Sequence, residues 1–436
     1  MIRTIMLTHQ YTDAITSAIV CLFFRMAGIY VVEKYLDFNV DLRAEMIELG
    51  IRTEKSQDSL CDAEIALFSR QSKRMEYLKN YPDKDRFVDI CYEDYLEDVE
   101  NDVKTHLVLT EILRKLRMIG VLDENQYSDL SNLMGVFISS DYVRTIMFTK
   151  YTSIVNEERW TDIMIERYRR IVRGLQNEEL TALNEERACY HTKFAIINMA
   201  YEANYYCTRN GRTQIYSNRE IIDIANVLKA KSGNLLDRSI ETLLSQVDSY
   251  LLKDRSSAYQ RMTALCRNDI SVNSYIFFLK GKYWFDEGDY ECASKYFAEA
   301  IARFPQYYRA WYQFGLCFYK QGKVERARKA FSNVIKILMI RYEGNILRPM
   351  EIEYLYNSCV LCGTIQERYV EYTSALTHYG MAKSVWFSIE TSKFIEFLSQ
   401  IQTENMEYNL ISQIKSKFDI YDLEKKIERC KDYLGA

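Results

Sequence analysis

Polar side chains that could contact a ligand follow two apolar runs near the start of the sequence. Thr8 and His9 come directly after Ile5-Met6-Leu7, and Ser69 follows the run 63–68. A hydroxyl or imidazole group at the carboxyl end of a strand is well placed to contact a ribose or a phosphate. His9 could equally be an ordinary loop residue, and the sequence leaves both interpretations open.

Other kinds of reactive site lack their sequence signature. His106, His191 and His378 are isolated and have no metal-ligand spacing with Cys, Asp or Glu, and no Gly-rich phosphate loop or exposed Ser turn occurs. Cys359 and Cys362 are the only close cysteine pair, and a zinc site would need a second one. We therefore expect no metal site and no bound cofactor, and we interpret this pair as core thiols.

The elements that must position Thr8, His9 and Ser69 alternate between strand and helix. Apolar runs predict four strands, at 3–8, 29–32, 63–68 and 87–91, with helices over 13–27 and 69–81. Continuous apolar strands separated by helices are typical of a parallel sheet covered on both faces. A flavodoxin-like α/β domain of this kind holds ligands at the carboxyl ends of its strands.

The order of these segments resembles the opening of a Toll/interleukin-1 receptor (TIR) domain. The first part of the resemblance is an apolar strand at 5–9, then Asp13, then an apolar helix whose end and following glycine lie in 24–29. The second part is the strand 63–69, with Ser72 and Glu76 on the helix after it. The resemblance covers about a quarter of the chain. An alternative is a receiver domain, which is another flavodoxin-like fold. A receiver would carry paired acidic residues at the end of its first strand, and Thr8 and His9 stand there instead, which argues against it.

Many TIR domains cleave NAD+ at the nicotinamide–ribose bond with one glutamate on the helix after that serine. The resemblance implies that Glu76 is catalytic, that Thr8, His9, Ser69 and Ser72 bind the substrate, and that the domain self-associates. A carboxylate suits this reaction because it stabilises the oxocarbenium-like centre as nicotinamide leaves. The alternative is that Glu76 is an exposed helix residue paired with a nearby Lys or Arg.

A repeat near the C-terminus gives the strongest pattern in the sequence. Gly281, Ala293 and Phe297 recur 34 residues later as Gly315, Ala327 and Phe331, and a weaker copy from Tyr356 keeps Gly363, Ala375 and Tyr379. The spacing resembles the tetratricopeptide (TPR) repeat, a helical hairpin. The glycine and alanine are expected where the two helices cross, with Gly288 and Gly322 in the turns between them.

A TPR stack usually binds a peptide, a partner protein or a small ligand on its concave surface and usually has no catalytic role. Tyr307, Tyr308 and Arg309 are candidates for the lining of such a groove. The alternative is that they form a solvated face, with the apolar parts of their side chains lying on the protein surface and their polar ends in water.

Composition limits the class of partner. The 436 residues carry 57 Lys and Arg against 61 Asp and Glu, which argues against nucleic acid as a partner. No apolar run is long enough to span a membrane. Eleven scattered cysteines favour free thiols in a reducing compartment, so we expect a cytoplasmic protein.

Together these patterns predict a mostly α protein with a small N-terminal parallel-sheet domain. We expect a TIR-like α/β domain over 1–100, a helical middle region over 101–235, TPR repeats over 236–410 and a capping helix over 411–436. Two functions follow from this organisation. One is a TIR-like effector, of the type found in bacterial immunity, which acts on NAD+ while the repeats bind a partner or drive assembly. The other is a catalytically silent TIR/TPR adaptor.

Overall fold

The computed structural model describes most of the chain. The described residues are 2–9, 14–35, 42–53, 61–68, 70–80, 85–91, 101–137, 162, 165–173, 190–209, 211–268, 274–400 and 410–435. Contacts divide the chain into two compact units. The first contains residues 1–36, 58–150 and 155–272, and the second contains 37–57, 151–154 and 273–436.

A four-stranded parallel sheet forms the N-terminal part of the first unit. Its strands are β1 (Thr4–His9), β2 (Tyr30–Tyr35), β3 (Ala63–Phe68) and β4 (Phe87–Cys91). They lie in the order β2-β1-β3-β4, with Thr8 beside Lys34 on one side and Ala66 on the other. The small N-terminal parallel sheet predicted from the apolar runs is therefore confirmed.

Several helices are described in the same unit. They are α1 (Ala14–Met26), α3 (Gln71–Asn80), α4 (Asn101–Met118), α5 (Glu124–Phe137), α6 (Tyr190–Arg209), α7 (Asn218–Ser232), α8 (Asp237–Gln246) and α9 (Arg255–Asn268). In α1 every residue from Thr16 to Phe24 is buried, because this helix is apolar on nearly all sides. Residues 236–272, which the sequence analysis grouped with the repeats, cluster with this unit.

The second unit is built of helical hairpins. Its helices are α2 (Arg43–Glu48), α10 (Ser274–Asp286), α11 (Tyr290–Arg303), α12 (Tyr308–Lys320), α13 (Val324–Glu343), α14 (Pro349–Arg368), α15 (Tyr372–Ser388), α16 (Lys393–Gln400), α17 (Leu410–Ser416) and α18 (Ile420–Leu434). The pairs α10–α11, α12–α13 and α14–α15 are the three predicted repeat hairpins, and successive hairpins pack on one another.

A glycine in the first helix of each hairpin allows the second helix to approach. A Cβ atom added to Gly281 would lie 2.6 Å from the ring of Phe297, and one added to Gly315 would lie 2.7 Å from the ring of Phe331. In the third hairpin Gly363 faces Tyr379 in the same way, at 2.5 Å. These distances are far inside van der Waals contact, which is why the repeat needs glycine at this place.

The turns of the three hairpins share one backbone conformation. Gly288 and Gly322 have φ values of 81° and 74°, as predicted for turn glycines, whereas the equivalent position of the third hairpin is Val370, with φ 63°. A β-branched residue rarely adopts this left-handed conformation. The third turn therefore keeps the shape of the other two without their glycine.

The C-terminal helix α18, which lies within the predicted capping segment 411–436, packs on α15. Lys383 of α15 forms an ion pair with Glu424 at 2.8 Å, and the rings of Tyr372 and Tyr433 stack with centroids 4.6 Å apart. Within the described residues, no helix is both long enough and apolar enough to cross a membrane.

Candidate functional site

The hydroxyl of Thr8 lies inside the sheet domain and hydrogen-bonds to a carboxylate. Thr8 is fully buried and donates to Oε1 of Glu64 at 2.9 Å. Tyr77 of α3 donates to the same oxygen at 2.7 Å. The two donors compensate for the partial removal of this carboxylate from water. Glu64 and Tyr77 were not singled out from the sequence, because their meeting depends on strand register and on the packing of α3.

The other predicted substrate residues are distributed differently. His9 is buried at the end of β1, and Ser72 is exposed on α3. The side chain of Glu76 is 64% exposed and forms an ion pair with Lys73 at 3.1 Å. Ser69 lies outside the described residues. Thr8 thus contacts a residue within the sheet, whereas Glu76 contacts a lysine on the surface of its own helix α3. The contact of Glu76 is the one described by the alternative interpretation, an exposed helix residue paired with a nearby Lys or Arg.

A second candidate site lies on the first helices of the repeats. We define the tyrosine surface as Tyr307, Tyr308, Arg309 and Tyr312, at the start of α12, together with Tyr354 of α14; all five are partly buried. The ring of Tyr354 meets those of Tyr308 and Tyr312 edge-on, with centroids 5.4 and 4.9 Å apart. Tyr308 and Tyr312 of the second hairpin therefore contact Tyr354 of the third hairpin.

Arg309 supplies the positive charge of the tyrosine surface. Its guanidinium carbon lies 4.9 Å from the ring centroid of Phe278, and the ring of Tyr307 packs on Phe278 from 5.3 Å. Nε of Arg309 is buried and has no hydrogen-bond partner among the described residues. A charged donor without an acceptor is costly inside a protein, so an acceptor supplied by a ligand would compensate for this cost.

Protonation at the tyrosine surface favours binding of an acceptor-rich group. Arg309 keeps its charge at neutral pH, because a guanidinium loses its proton only at far higher pH. Burial raises the pKa values of the Tyr308 and Tyr312 hydroxyls, so both stay protonated at neutral pH. The surface thus offers one fixed cation and neutral phenols, which suits peptide carbonyl or carboxylate oxygens.

A buried ion pair supports the helix that carries Tyr354. Arg341 of α13 and Glu351 of α14 are each 1% exposed and lie 3.4 Å apart. The same Glu351 oxygen accepts a hydrogen bond from the backbone N–H of Arg348 at 3.0 Å, which caps the start of α14. The pair therefore fixes where α14 begins relative to α13.

The cysteine pair of α14 belongs to the core of the repeats. Cys359 and Cys362 are both fully buried. Burial raises the pKa of both thiols, in the case of Cys362 to about 12, so they stay protonated and are poor metal ligands. No group of three potential metal-binding side chains occurs in the part of the chain that the structure describes.

Comparison with known proteins identifies the repeats. Residues 278–337, which cover most of the first two hairpins, match the family model for the tetratricopeptide repeat. No curated protein matches the sequence. The match is well short of half of the chain, so it characterises the repeats and leaves the N-terminal sheet unassigned; nothing in it supports a TIR domain there.

Solved TPR structures resemble parts of the chain at low identity. YrrB, described as a TPR protein with an unusual peptide-binding site, is 13% identical over 47% of this chain and 90% of its own, with a TM-score of 0.30. The C-terminal part of a TPR protein from Cytophaga hutchinsonii is 15% identical over 62% and 99%, with a TM-score of 0.34. The TPR2AB domain of yeast Sti1, solved with an HSP90 peptide, is 14% identical over 63% and 98%, with a TM-score of 0.22.

Proposed function

We propose that this chain is an interaction protein whose TPR repeats bind an extended segment of a partner protein on the tyrosine surface. The observation that carries the proposal is the buried, unpaired Nε of Arg309 among tyrosine side chains from two adjacent hairpins. Aromatic side chains and arginine are the residue types that dominate protein–protein contacts, because they bury a large area and still donate hydrogen bonds. In this role the chain is an adaptor or scaffold.

A peptide-display selection on the full chain tests this function. We expect enriched sequences to bind the wild-type chain and to lose about tenfold in affinity when Arg309→Gln removes the charge, since a charged hydrogen bond contributes about 1.5 kcal/mol or more. Tyr421→Ala is the matched control, because Tyr421 is an exposed tyrosine on α18, outside the tyrosine surface. Equal binding by wild type, Arg309→Gln and Tyr421→Ala would count against the proposal.

A second candidate function is cleavage of NAD+ by the TIR-like domain, with Glu76 catalytic and Thr8, His9, Ser69 and Ser72 at the substrate. The observation in its favour is the parallel strand order β2-β1-β3-β4, which turns the ends of β1 and β3 to one edge of the sheet. In this role NAD+ is a substrate and no cofactor is resident. Self-association through this domain and a cytoplasmic location remain predictions.

Consumption of NAD+ by the concentrated full chain tests this second function. The critical variant is Glu76→Gln, and Glu291→Gln is its control, since Glu291 is also an exposed glutamate and pairs with Lys295 at 3.4 Å. Loss of NAD+ that only Glu76→Gln abolishes would make the chain an enzyme. No consumption favours the silent adaptor, and the same rate in both variants would show that Glu76 is not the catalytic residue.

A further inference from the structure

The connection between β2 and β3 carries a helix that associates with the repeats. β2 and β3 are parallel and lie on opposite sides of β1, so the chain must cross the sheet between them, and such crossovers usually carry a helix packed on the sheet. The helix described in this connection is α2, and residues 37–57 cluster with the repeats instead.

Two ion pairs hold α2 on the second helix of the second hairpin. Glu45 pairs with Lys336, and Glu48 pairs with Lys329. The glutamates are three residues apart on α2, and the lysines are two helical turns apart on α13, so each pair of like charges lies along one side of its own helix. The contact therefore joins an acidic stripe to a basic stripe.

The apolar side of the same segment is removed from water. Leu42, Met46, Leu49 and Ile51 are each at most 5% exposed. The first three follow the spacing of one helix face, next to the side that carries Glu45 and Glu48. Because an isolated helix of six residues is unstable in water, this segment owes its structure to what it packs against.

We propose that α13 carries an interaction surface for an acidic amphipathic helix, formed around Lys329 and Lys336, and that α2 of this same chain is its exchangeable occupant. The partly exposed ion pairs make the contact dependent on charge and on salt. The surface is separate from the tyrosine surface, which lies on α12 and α14. An acidic amphipathic helix from another protein would have to displace α2 to bind here.

Hydrogen exchange of the full chain, read by mass spectrometry over residues 42–53, tests occupancy. Two charge reversals are compared, Glu45→Lys with Glu48→Lys and Lys329→Glu with Lys336→Glu. We expect each of them to speed exchange in this segment about tenfold, because local opening then relieves the repulsion between like charges. The four substitutions together are expected to restore protection to within about twofold. Lys295→Glu is the control, since Lys295 is an exposed repeat lysine paired with Glu291.

Unchanged exchange in both charge reversals would overturn the proposal. So would equally fast exchange in the fourfold variant, because a charge-specific contact must be restored when both charges are exchanged. All the substituted side chains are at least partly exposed, and exchange in α10 and α11 reports that the repeats remain folded.

Competition by a labelled peptide of residues 41–53 tests exchange of the occupant. We expect the peptide to bind the Glu45→Lys, Glu48→Lys chain about tenfold more tightly than the wild-type chain, whose α2 occupies the surface. Adding Lys329→Glu and Lys336→Glu is expected to abolish that binding. Peptide binding that ignores the state of the two lysines would show that α13 is not the receptor.

Discussion

The repeats and the sheet domain differ in how far along the chain each defining contact reaches. In the repeats, Gly281 meets Phe297 of the next helix, and the same local contact recurs at Gly315 and Gly363. In the sheet domain, Thr8 bonds to Glu64, 56 residues away. The comparison shows that a contact with a fixed local period can be predicted from the sequence, whereas one that depends on strand register cannot.

The largest effect on the repeats is expected from breaking the buried ion pair. Glu351→Ala leaves Arg341 charged and without this partner in the core, and we expect the unfolding free energy of the repeats to fall by about 4 kcal/mol. Urea unfolding of the full chain, with hydrogen exchange to locate the change, is the measurement. Glu353→Ala is the control, because Glu353 pairs with Lys417 near the surface at 3.4 Å, and its loss is expected to cost less than about 1 kcal/mol.

Overpacking the helix crossing tests the local contact itself. Gly315→Val places new atoms against the ring of Phe331, and we expect a loss of about 3 kcal/mol in the same unfolding measurement. Gly380→Ala is the matched control, because nothing lies within 4 Å of a Cβ at this helical position. Alanine there is expected to stabilise α15 by about 0.5–1 kcal/mol, and a loss as large as that of Gly315→Val would contradict the packing argument.

The first unit is expected to respond to pH through His191. Burial lowers the pKa of His191 from 6.5 to about 4, while its Nδ1–H donates to the carbonyl of Ala27. The unfolded chain therefore takes up a proton at higher pH than the folded chain does. Between pH 7 and 5 this should cost the folded state about 2 kcal/mol relative to His191→Asn, which keeps a donor and does not titrate.

Comparing wild type with His191→Asn separates the effect of His191 from that of Asp129. Burial raises the pKa of Asp129 to about 6, so its protonation stabilises the folded state as the pH falls, which is the opposite effect. The measurement is urea unfolding of both proteins at each pH, with exchange in α6 as the local reading. Parallel stability curves for wild type and His191→Asn would contradict the prediction.

The smallest effect is expected in the sheet domain. Tyr77→Phe removes a hydrogen-bond donor to Glu64, and we expect a loss of about 1 kcal/mol, measured by exchange of the amides of β1 and β3. Amides in α12 should be unaffected. Tyr127→Phe is the control, because Tyr127 belongs to α5 of the same unit and its ring contacts Arg117.

The predictable part of the fold follows from short-range patterns. The strands at 63–68 and 87–91 were predicted with their observed limits, because each is an apolar-rich run that begins directly after a charged residue, Asp62 or Arg86. The three glycine–aromatic contacts follow from the repeat spacing. The association of α2 with α13 could not be predicted, because Glu48 and Lys329 lie 281 residues apart and their charges are common on any helix surface.

The candidate sites divide in the same way. Tyr307, Tyr308 and Arg309 were proposed as groove residues because they are adjacent in the sequence, and Tyr312 could have been proposed with them, since it lies one turn later on the same helix. Tyr354 belongs to another hairpin and carries no signal of its own. Thr8 was identified from its position after an apolar run, but its burial against Glu64 depends on which residues of β1 and β3 are neighbours.

The third turn has a consequence for the order in which the repeats open. Val370 holds a left-handed backbone that costs an ordinary residue about 1–2 kcal/mol, and its side chain is 67% exposed. In a stack of hairpins, local unfolding begins at the least stable hairpin. The hairpin of α14 and α15 should therefore fray before its neighbours, and anyone engineering a sturdier scaffold would begin with asparagine or glycine at this single position.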